Sequence, residues 1–423
     1  MASAVKTPRS VIVVGAGAVG LACALYARRA GLNVTIIERG PPDRDCCSLG
    51  NAGMIVPSHF VPLAAPGVVR QGLRSIGRRG DPIYIRLRAE AAFLRWSWLF
   101  MRSATARHVQ ASAPLLRDLS LYSRRCFEEL AEEFGNPFGL EKRGLLMLCR
   151  TDAGLEEEAH TAKLAEELGM DAELLDASGV SERLPGMEVR AAGGVHYPLD
   201  CHLSPQRFVT SMEQEVERLG GQVLWQTEAL GWRRSGSRVV ALQTSRGDLV
   251  ADEYVLATGA WSPNVTKGLA LRLPVEAGKG YSLLLASPPV RPALGCILVE
   301  ARIAVTPISE GVRFGGTMEI GGLNNRIDVE RVRAMTAAVP EYFPQFRPSD
   351  FESSTPWQGL RPISPDGLPY LGRVRSLDNF IVATGHSMLG LSLAPATGRI
   401  VSDLLTGMEP AFPLAALQPE RFG

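Results

Sequence analysis

"SVIVVGAGAVGLACALYARRAGLNVTIIERG", residues 10–40, is the stretch that decides the fold. Its four β-branched residues at 11–14 predict a buried strand of a parallel sheet. A glycine turn follows, and the Ala- and Leu-rich run at 21–30 predicts a helix. A second apolar run at 34–37 predicts another strand, so the stretch forms a strand–turn–helix–strand unit.

Three glycines and one acidic residue in this unit indicate a dinucleotide site. Gly15, Gly17 and Gly20 allow a tight turn and let a pyrophosphate approach the helix N-terminus, where free N–H groups favour an anion. Glu38 ends the second strand, where a carboxylate can accept hydrogen bonds from ribose hydroxyls. The motif by itself does not separate NAD from FAD, so both dinucleotides stay open at this point.

The composition of the 423-residue chain is that of a globular protein. At about 150 residues per domain, this length predicts two or three domains. The 45 basic and 44 acidic side chains give a formal net charge of +1, which argues against nucleic acid as a partner because no basic excess is present to neutralise phosphates. The sequence shows no run of about 18 apolar residues and no signal peptide, so a cytoplasmic protein is expected.

The seven cysteines show no spacing typical of a metal site, so no metal is expected. Their odd number favours free thiols in a reducing compartment. Cys46 and Cys47 are neighbours, and because a disulfide between them would be strained, we interpret both as loop thiols.

Glycine-rich turns recur far from the first motif. Strands that end in such turns are predicted at 257–261 and at 385–390, close to the other end of the chain. A loop at 45–67, rich in Gly, Pro, Ser and Asn, would let the backbone approach a flat ligand. An NAD dehydrogenase usually needs one compact nucleotide domain, whereas contacts from several distant segments suit the larger FAD. The recurrence therefore favours FAD.

The same segments resemble the D-amino-acid oxidase and dehydrogenase superfamily of flavoproteins, and the resemblance covers essentially the whole chain. "SLGNAGM", followed by "AAPG" and later "KGYSL", favours the D-amino-acid dehydrogenase branch. The motifs that carry the resemblance are GAGAVG at 15–20, SLGNAGM at 48–54, ATGAW at 257–261, GLRP at 359–362 and LAPATG at 393–398.

The resemblance implies an α/β fold with a discontinuous, Rossmann-like FAD-binding domain and a second, α+β substrate domain built on an antiparallel sheet. It assigns 9–65, 193–265 and 355–415 to the FAD-binding domain. It assigns 66–192 and 266–354 to the substrate domain.

The resemblance also implies which residues contact FAD. Glu38 would bind the adenosine ribose, and 48–54 would pass the pyrophosphate and the isoalloxazine ring. Ala229 sits where the family places a backbone contact to adenine, and 389–391 would lie at the flavin pyrimidine edge. Covalent-flavin relatives place a cysteine near GLRP, and because 297–423 contains no cysteine, non-covalent FAD is expected. The implied cofactor residues are Gly15, Ala16, Gly17, Val19, Gly20, Glu38, Arg39, Ser48, Asn51, Ala52, Gly53, Met54, Ala229, Thr258, Gly259, Trp261, Gly385, Leu389, Gly390 and Leu391.

Arg361, in GLRP, matches the arginine that holds the substrate carboxylate in this superfamily. A planar guanidinium binds a carboxylate through two parallel hydrogen bonds, so the residue type suits the role. A salt bridge at the surface or between domains is the alternative for this residue. Tyr281 and His386 are further catalytic candidates, and Lys279 and His59 are candidate polar groups at the substrate face.

The function implied by the resemblance is oxidation of a D-amino acid or a cyclic imino acid, such as D-proline or D-hydroxyproline, by hydride transfer from the α-carbon to FAD. Met388 and Ala304 stand where glycine oxidase has an arginine and a tyrosine, which makes the site more apolar and favours a bulkier substrate. The electrons would pass to a quinone, another acceptor or O2. Two alternatives stay open: a flavin-carrying subunit of a hetero-oligomeric dehydrogenase, and a glycine- or sarcosine-type oxidase.

One predicted helix carries an apolar face with basic flanks. Such a face usually packs in a core, and contact with the inner surface of a membrane is the alternative. The sequence leaves the oligomeric state open. The apolar face contains Phe93, Trp96, Leu99 and Phe100, and the flanking residues are Arg86, Arg88, Arg95 and Arg102.

Overall fold

A computed structural model describes residues 10–78 and 81–423 of the chain. Residue 9, where the first predicted FAD-binding segment begins, lies outside the described residues. The strands in the described part are β1 (Ser10–Val14), β2 (Asn33–Ile37), β3 (Met54–Ile55), β4 (Ile83–Ile85), β5 (Leu145–Cys149), β6 (Glu173–Asp176), β7 (Gly193–Tyr197), β8 (Cys201–His202), β9 (Gln222–Leu224), β10 (Ala229–Ser235), β11 (Arg238–Thr244), β12 (Gly247–Leu249), β13 (Glu253–Leu256), β14 (Glu276–Leu285), β15 (Gly295–Leu298), β16 (Ile303–Ile308), β17 (Gly311–Ile320), β18 (Trp357–Ile363), β19 (Tyr370–Arg373) and β20 (Phe380–Thr384).

The helices connect these strands and cover their sheets. The α-helices in the described part are α1 (Ala18–Arg29), α2 (Val68–Arg74), α3 (Ala91–Ser103), α4 (Ala106–Phe134), α5 (Asp152–Glu167), α6 (Ala177–Arg183), α7 (Pro205–Arg218), α8 (Ser262–Val265), α9 (Val329–Tyr342) and α10 (Ala394–Thr406). Among them, none is both long enough and apolar enough to cross a bilayer.

A six-stranded, mainly parallel sheet contains the two strands of the predicted strand–turn–helix–strand unit. Its order is β19-β20-β13-β1-β2-β9, and every pair is parallel except β19 with β20. The predicted strand–turn–helix–strand unit is confirmed as β1, α1 and β2. The helix begins at Ala18, earlier than predicted, because its first free N–H groups are capped from a distant loop, with the Ala18 amide donating to Ser48 Oγ at 3.0 Å.

A nine-stranded sheet carries the rest of the fold. Its order is β18-β14-β17-β16-β15-β5-β7-β6, with β4 beside β17, and its pairs are antiparallel except β5 with β15 and β4 with β17. Alternate residues of its strands, such as Phe314 and Val305, pack into an apolar core under α9.

The predicted domain division stays a proposal. At two places, the strands of a predicted FAD-binding segment pair with the sheet of the predicted substrate domain. β7 begins at 193 and β18 lies just after 355, both inside predicted FAD-binding segments. Both strands nevertheless belong to the nine-stranded sheet, because β7 pairs with β5 and β6, and β18 pairs with β14.

The glycine-rich loop at 45–67 contains a short strand that the sequence analysis missed. β3 pairs with β8 through Met54 and His202, and through Ile55 and Cys201. This pairing fixes the middle of the loop against a segment far away in the sequence.

The apolar face of α3 packs in the core, as such faces usually do. Phe93 and Trp96 are buried against Met318 and Ile363, and the indole of Trp96 donates to the Ile363 carbonyl at 2.9 Å. The opposite face of α3 leaves Trp98 half exposed.

Candidate active site

A cavity of about 1070 Å³ opens at the ends of β1 and β2 and continues to β18. Pockets for small ligands usually measure about 300–1,000 Å³, so this cavity is at the upper end and can hold a dinucleotide together with a small substrate. The cavity brings together segments from both ends of the chain, as the recurrence of glycine turns predicted.

The glycine turn after β1 presents bare backbone to the cavity. Gly15 has φ +106°, and a Cβ there would lie 2.6 Å from the Ala257 carbonyl oxygen; a Cβ at Gly20 would overlap the carbonyl of Gly15. Gly17 differs, because its φ is −76° and a Cβ would meet only Ser48 Oγ, at 3.5 Å. Gly15 and Gly20 are therefore needed for the turn itself, whereas Gly17 keeps the space in front of the α1 N-terminus open.

The carboxylate of Glu38 is fixed at the end of β2. It accepts hydrogen bonds from the amides of Ala16, at 3.0 Å, and Gly40, at 2.9 Å, and it lines the cavity. Nearby, the guanidinium of Arg39 lies 3.9 Å from the ring centroid of Trp261. This end of the cavity is polar and suits a ribose.

The loop at 48–54 forms one wall of the cavity and is held by its own side chains. Ser48 caps α1, and Asn51 accepts a hydrogen bond from the Gly53 amide at 2.8 Å. Gly53 has φ +84°, where a side chain would be strained.

Two residues that the sequence analysis missed hold the same loop from the nine-stranded sheet. Arg313 donates to the carbonyl oxygens of Leu49, at 2.6 Å, and Asn51, at 3.0 Å. Ser282 donates to the Gly50 carbonyl at 2.9 Å. An inward-facing arginine within the apolar run of β17 is the one sequence feature that could have indicated this role.

Most of the predicted cofactor residues line this cavity. Ala16, Gly53 and Gly385, which lie in loops, and Gly20, which lies in the first turn of α1, do not line it. Their assignment as FAD contacts stays a prediction. The lining members are Gly15, Gly17, Val19, Glu38, Arg39, Ser48, Asn51, Ala52, Met54, Ala229, Thr258, Gly259, Trp261, Leu389, Gly390 and Leu391.

Arg361 lies on β18 and faces the other end of the cavity. Its Nη1 donates to the Thr317 carbonyl at 2.7 Å. Within residues 10–78 and 81–423, no carboxylate lies at ion-pair distance from its guanidinium. Burial lowers the pKa of Arg361, and the neighbouring Cys47 raises it by a smaller amount. The salt bridge considered as the alternative is therefore not seen in the described part of the chain.

Tyr281 lines the cavity, and its hydroxyl donates to Glu319 Oε2 at 2.7 Å. Burial raises the pKa of Tyr281, and its bond to Glu319 raises it further, so the phenol is neutral. Lys279 is not at the substrate face. Its buried ammonium instead pairs with Glu319 at 3.3 Å and donates to the Arg326 carbonyl at 2.8 Å.

His386 and His59 both line the cavity. The Nε2 atom of His386 lies 3.0 Å from Thr397 Oγ1. Burial lowers the pKa of each histidine to about 4, so both rings are neutral at neutral pH. The catalytic roles of Tyr281 and His386 stay predictions.

Part of the cavity lining is apolar and includes Met54, Ile297, Ala304 and Met388. Ala304 and Met388 stand where glycine oxidase has a tyrosine and an arginine, and both line the cavity. The site therefore combines the guanidinium of Arg361, which has no carboxylate partner in the described part of the chain, with space for an apolar group.

Comparison with known sequences also indicates a flavoenzyme. The family described as FAD dependent oxidoreductase matches residues 10–404. The chain is 30% identical over 417 residues to a D-amino acid dehydrogenase of Granulibacter bethesdensis, covering 97% of this chain and 99% of that protein. It is 30% identical over 424 residues to a D-amino acid dehydrogenase of Bradyrhizobium diazoefficiens, covering 97% and 98%.

Solved structures share the fold. Glycine oxidase from Geobacillus kaustophilus superposes with a TM-score of 0.78 at 23% identity, covering 98% of each chain. L-proline dehydrogenase from P. horikoshii superposes with a TM-score of 0.72 at 19% identity, covering 99% of this chain and 98% of that one. With the family match over nearly the whole length, and a bare glycine turn and a fixed Glu38 carboxylate in one cavity, this chain belongs to the FAD-dependent oxidoreductases, and FAD is its cofactor.

Proposed function

We propose that this protein oxidises the α-carbon of a D-amino acid or a cyclic imino acid, with D-proline and D-hydroxyproline as leading candidates. One observation carries the proposal: the guanidinium of Arg361 faces the FAD cavity with no carboxylate partner in the described part of the chain. An unpaired, shielded guanidinium is suited to bind a substrate carboxylate through two hydrogen bonds. The D-amino acid dehydrogenases that the chain resembles support this substrate class.

The residues at the polar end of the cavity would hold the cofactor. Gly15 and Gly17, before the α1 N-terminus, would receive the pyrophosphate, and Glu38 would accept the ribose hydroxyls. The backbone at 389–391 would contact the pyrimidine edge of the flavin ring. When bound, FAD supplies the acceptor for a hydride from the substrate α-carbon.

At the end of the cavity that contains Arg361, the residues of this protein orient the substrate. Arg361 fixes the carboxylate, and because β18 is paired with β14 along its length, the guanidinium is held on a rigid element. The apolar part of the cavity lining, which includes Met54 and Met388, would accept the side chain or ring and exclude water from the α-carbon. This apolar character favours a substrate larger than glycine.

Anaerobic mixing with D- and L-amino acids and imino acids tests the proposal, because loss of the oxidised-flavin absorbance needs no assumption about the natural acceptor. We expect D-enantiomers with apolar side chains or rings to bleach the flavin, and L-enantiomers and glycine to do so far more slowly. Bleaching by L-enantiomers alone, or by no member of the panel, would overturn the proposal.

For the electron acceptor, we propose a quinone reached at a membrane surface. On α3, Leu94, Trp98 and Met101 are 56%, 50% and 52% exposed, and the guanidinium of Arg102 lies 4.6 Å from the Trp98 ring. Apolar side chains beside cations suit an anionic lipid surface.

Sedimentation with vesicles tests this contact. We expect the protein to pellet with anionic vesicles and not with neutral ones, and a Trp98→Ser, Met101→Ser variant to stay in solution while bleaching its flavin normally. Equal sedimentation of the variant and the wild type would contradict the membrane contact.

A further inference from the structure

Three polar side chains form a hydrogen-bonded chain that runs from the core to the cavity. Asp200 is fully buried and accepts from the Ser58 amide at 3.0 Å through Oδ1 and from the Ser58 hydroxyl through Oδ2. Ser58 Oγ in turn lies 3.0 Å from Nδ1 of His59. His59 lines the same cavity as Arg361.

The fold holds the hydrogen-bonded residues Asp200, Ser58 and His59 in place through several backbone contacts. β3 pairs with β8, which begins at the residue after Asp200, so the loop carrying Ser58 lies beside the turn carrying Asp200. The Val56 amide donates to Ser392 Oγ at 3.1 Å, which ties the same loop to the segment before α10. The Gly144 amide donates to the Asp200 carbonyl at 3.0 Å.

The directions of the hydrogen bonds determine the tautomer of His59. When Asp200 is ionised its carboxylate can only accept, so the single hydroxyl proton of Ser58 goes to Asp200. Ser58 Oγ must then accept from His59, which places the proton of the neutral ring on Nδ1. Nε2 is left with a lone pair for a ligand in the cavity.

Burial of Asp200 and His59 favours movement of a proton from His59 inward to Asp200. Burial raises the pKa of Asp200 to about 7 and lowers that of His59 to about 4, so a proton is more stable on Asp200 than on His59. Arg124, on α4, acts against burial and lowers the pKa of Asp200. Tyr197 and Cys201, on the flanking strands, have pKa values raised by burial and are neutral. Burial lowers the pKa of His202, on β8, to about 4, so its ring is also neutral.

We propose that His59, Ser58 and Asp200 form a relay that takes the ammonium proton of the bound amino acid before its α-carbon is oxidised. The substrate N–H⁺ bond breaks and a proton joins Nε2 of His59; the Nδ1 proton of His59 passes to Ser58 Oγ, and the hydroxyl proton of Ser58 passes to Asp200. The substrate amine becomes neutral, the ring of His59 is neutral again, and Asp200 becomes a neutral carboxylic acid. This inference rests on the proposed amino-acid oxidation.

In the relay, His59 is the residue that contacts the substrate, and Ser58 and Asp200 act through it. A neutral nitrogen lone pair helps the α-hydrogen leave with its electron pair, so removing the ammonium proton assists the oxidation. None of these three residues was assigned a proton-transfer role by the sequence analysis, because Asp200 and Ser58 are 142 residues apart.

The kinetic test follows anaerobic flavin reduction across a range of pH, with whichever of D-proline, D-alanine and D-methionine reduces the wild type fastest. Positioned bases typically contribute about 10²–10⁴ in rate, so His59→Gln and Ser58→Ala should be slower by about 100-fold near neutral pH. The difference from wild type should shrink as pH rises, because the free amine then enters without needing a base. Ser392→Ala, which loses another hydrogen bond to the same loop, should keep the shape of the wild-type profile.

An infrared difference spectrum supplies a readout that does not depend on turnover. The probe is 2-aminoisobutyrate, which has no α-hydrogen and is not oxidised, added to oxidised holoenzyme above the pKa of Asp200 until the flavin absorbance change saturates. We expect the carbonyl stretch of a protonated carboxyl group to appear in wild type and Ser392→Ala. It should be absent in Asp200→Asn and Ser58→Ala, and absent when isobutyrate, which lacks the amine, is the ligand.

A rate loss in His59→Gln that is constant with pH, or a carboxyl band that appears equally in Ser58→Ala, would overturn the relay while leaving the proposed oxidation intact. Failure of every amino acid to reduce the wild-type flavin would overturn both.

Discussion

The guanidinium of Arg361 occupies the space that a side chain at Gly280 would fill. The two residues lie on the paired strands β14 and β18, in a diagonal relationship, and a Cβ at Gly280 would overlap the Arg361 guanidinium. Gly280 does not have a positive φ, so alanine is compatible with its backbone. A single methyl group at 280 therefore tests the position of Arg361 without changing its charge.

We expect Gly280→Ala to move the Arg361 side chain and raise the KM for the best amino acid by about tenfold or more, because an ångström of misplacement weakens a bidentate pair. FAD content should be unchanged. Gly295→Ala is the matched control, since a Cβ there meets its neighbours at an ordinary distance of 3.5 Å. Steady-state kinetics check both variants, and an unchanged KM in Gly280→Ala would show that the carboxylate is bound elsewhere.

The glycine turn offers a pair of variants that separates cofactor binding from folding. Gly17→Ala places a methyl group in open space before the α1 N-terminus, so we expect weaker FAD binding with little change in the melting temperature of the apoprotein. Gly20→Ala would overlap the Gly15 carbonyl, so we expect the apoprotein itself to be destabilised. Calorimetry and FAD titration measure both effects, and a Gly17→Ala variant with wild-type FAD affinity would contradict the proposed pyrophosphate position.

Cys46 and Cys47 are free thiols on the cavity wall, and the proposed chemistry does not use them. Burial raises the pKa of Cys47 to about 12, against the lowering effect of Arg361, so the reactive thiolate is scarce at neutral pH. We expect the double change to Ser to keep turnover within about tenfold of wild type. Turnover and flavin content are the measurements, and a far larger loss with FAD still bound would show that the thiols take part.

The part of the cavity formed by the first glycine turn could be predicted from the sequence because its determinants are local. The turn at Gly15, Gly17 and Gly20, and the carboxylate of Glu38, lie within one strand–turn–helix–strand unit whose geometry follows from residue type and spacing. The GLRP motif likewise indicated Arg361, through resemblance to a family.

The surroundings of the substrate end could not be predicted, because they depend on sheet register. Gly280 meets Arg361 only through the pairing of β14 with β18, and Ser58 meets Asp200 only through the pairing of β3 with β8. Lys279 was a candidate for the substrate face, but its partners Glu319 and Arg326 lie 40 and 47 residues away in the sequence, so their contact with its ammonium could not be predicted.

The kinetics of Arg361→Ala and Arg361→Lys test whether Arg361 binds the substrate carboxylate. Removing one partner of a shielded, bidentate charge pair costs about 2–5 kcal/mol. At about 1.4 kcal/mol per tenfold, we predict that Arg361→Ala lowers kcat/KM by about 30- to 3,000-fold while FAD stays bound. Arg361→Lys should recover part of the loss, because an ammonium binds a carboxylate as a point charge. An Arg361→Ala variant that retains its flavin and a near-normal kcat/KM would show that the substrate carboxylate is bound elsewhere.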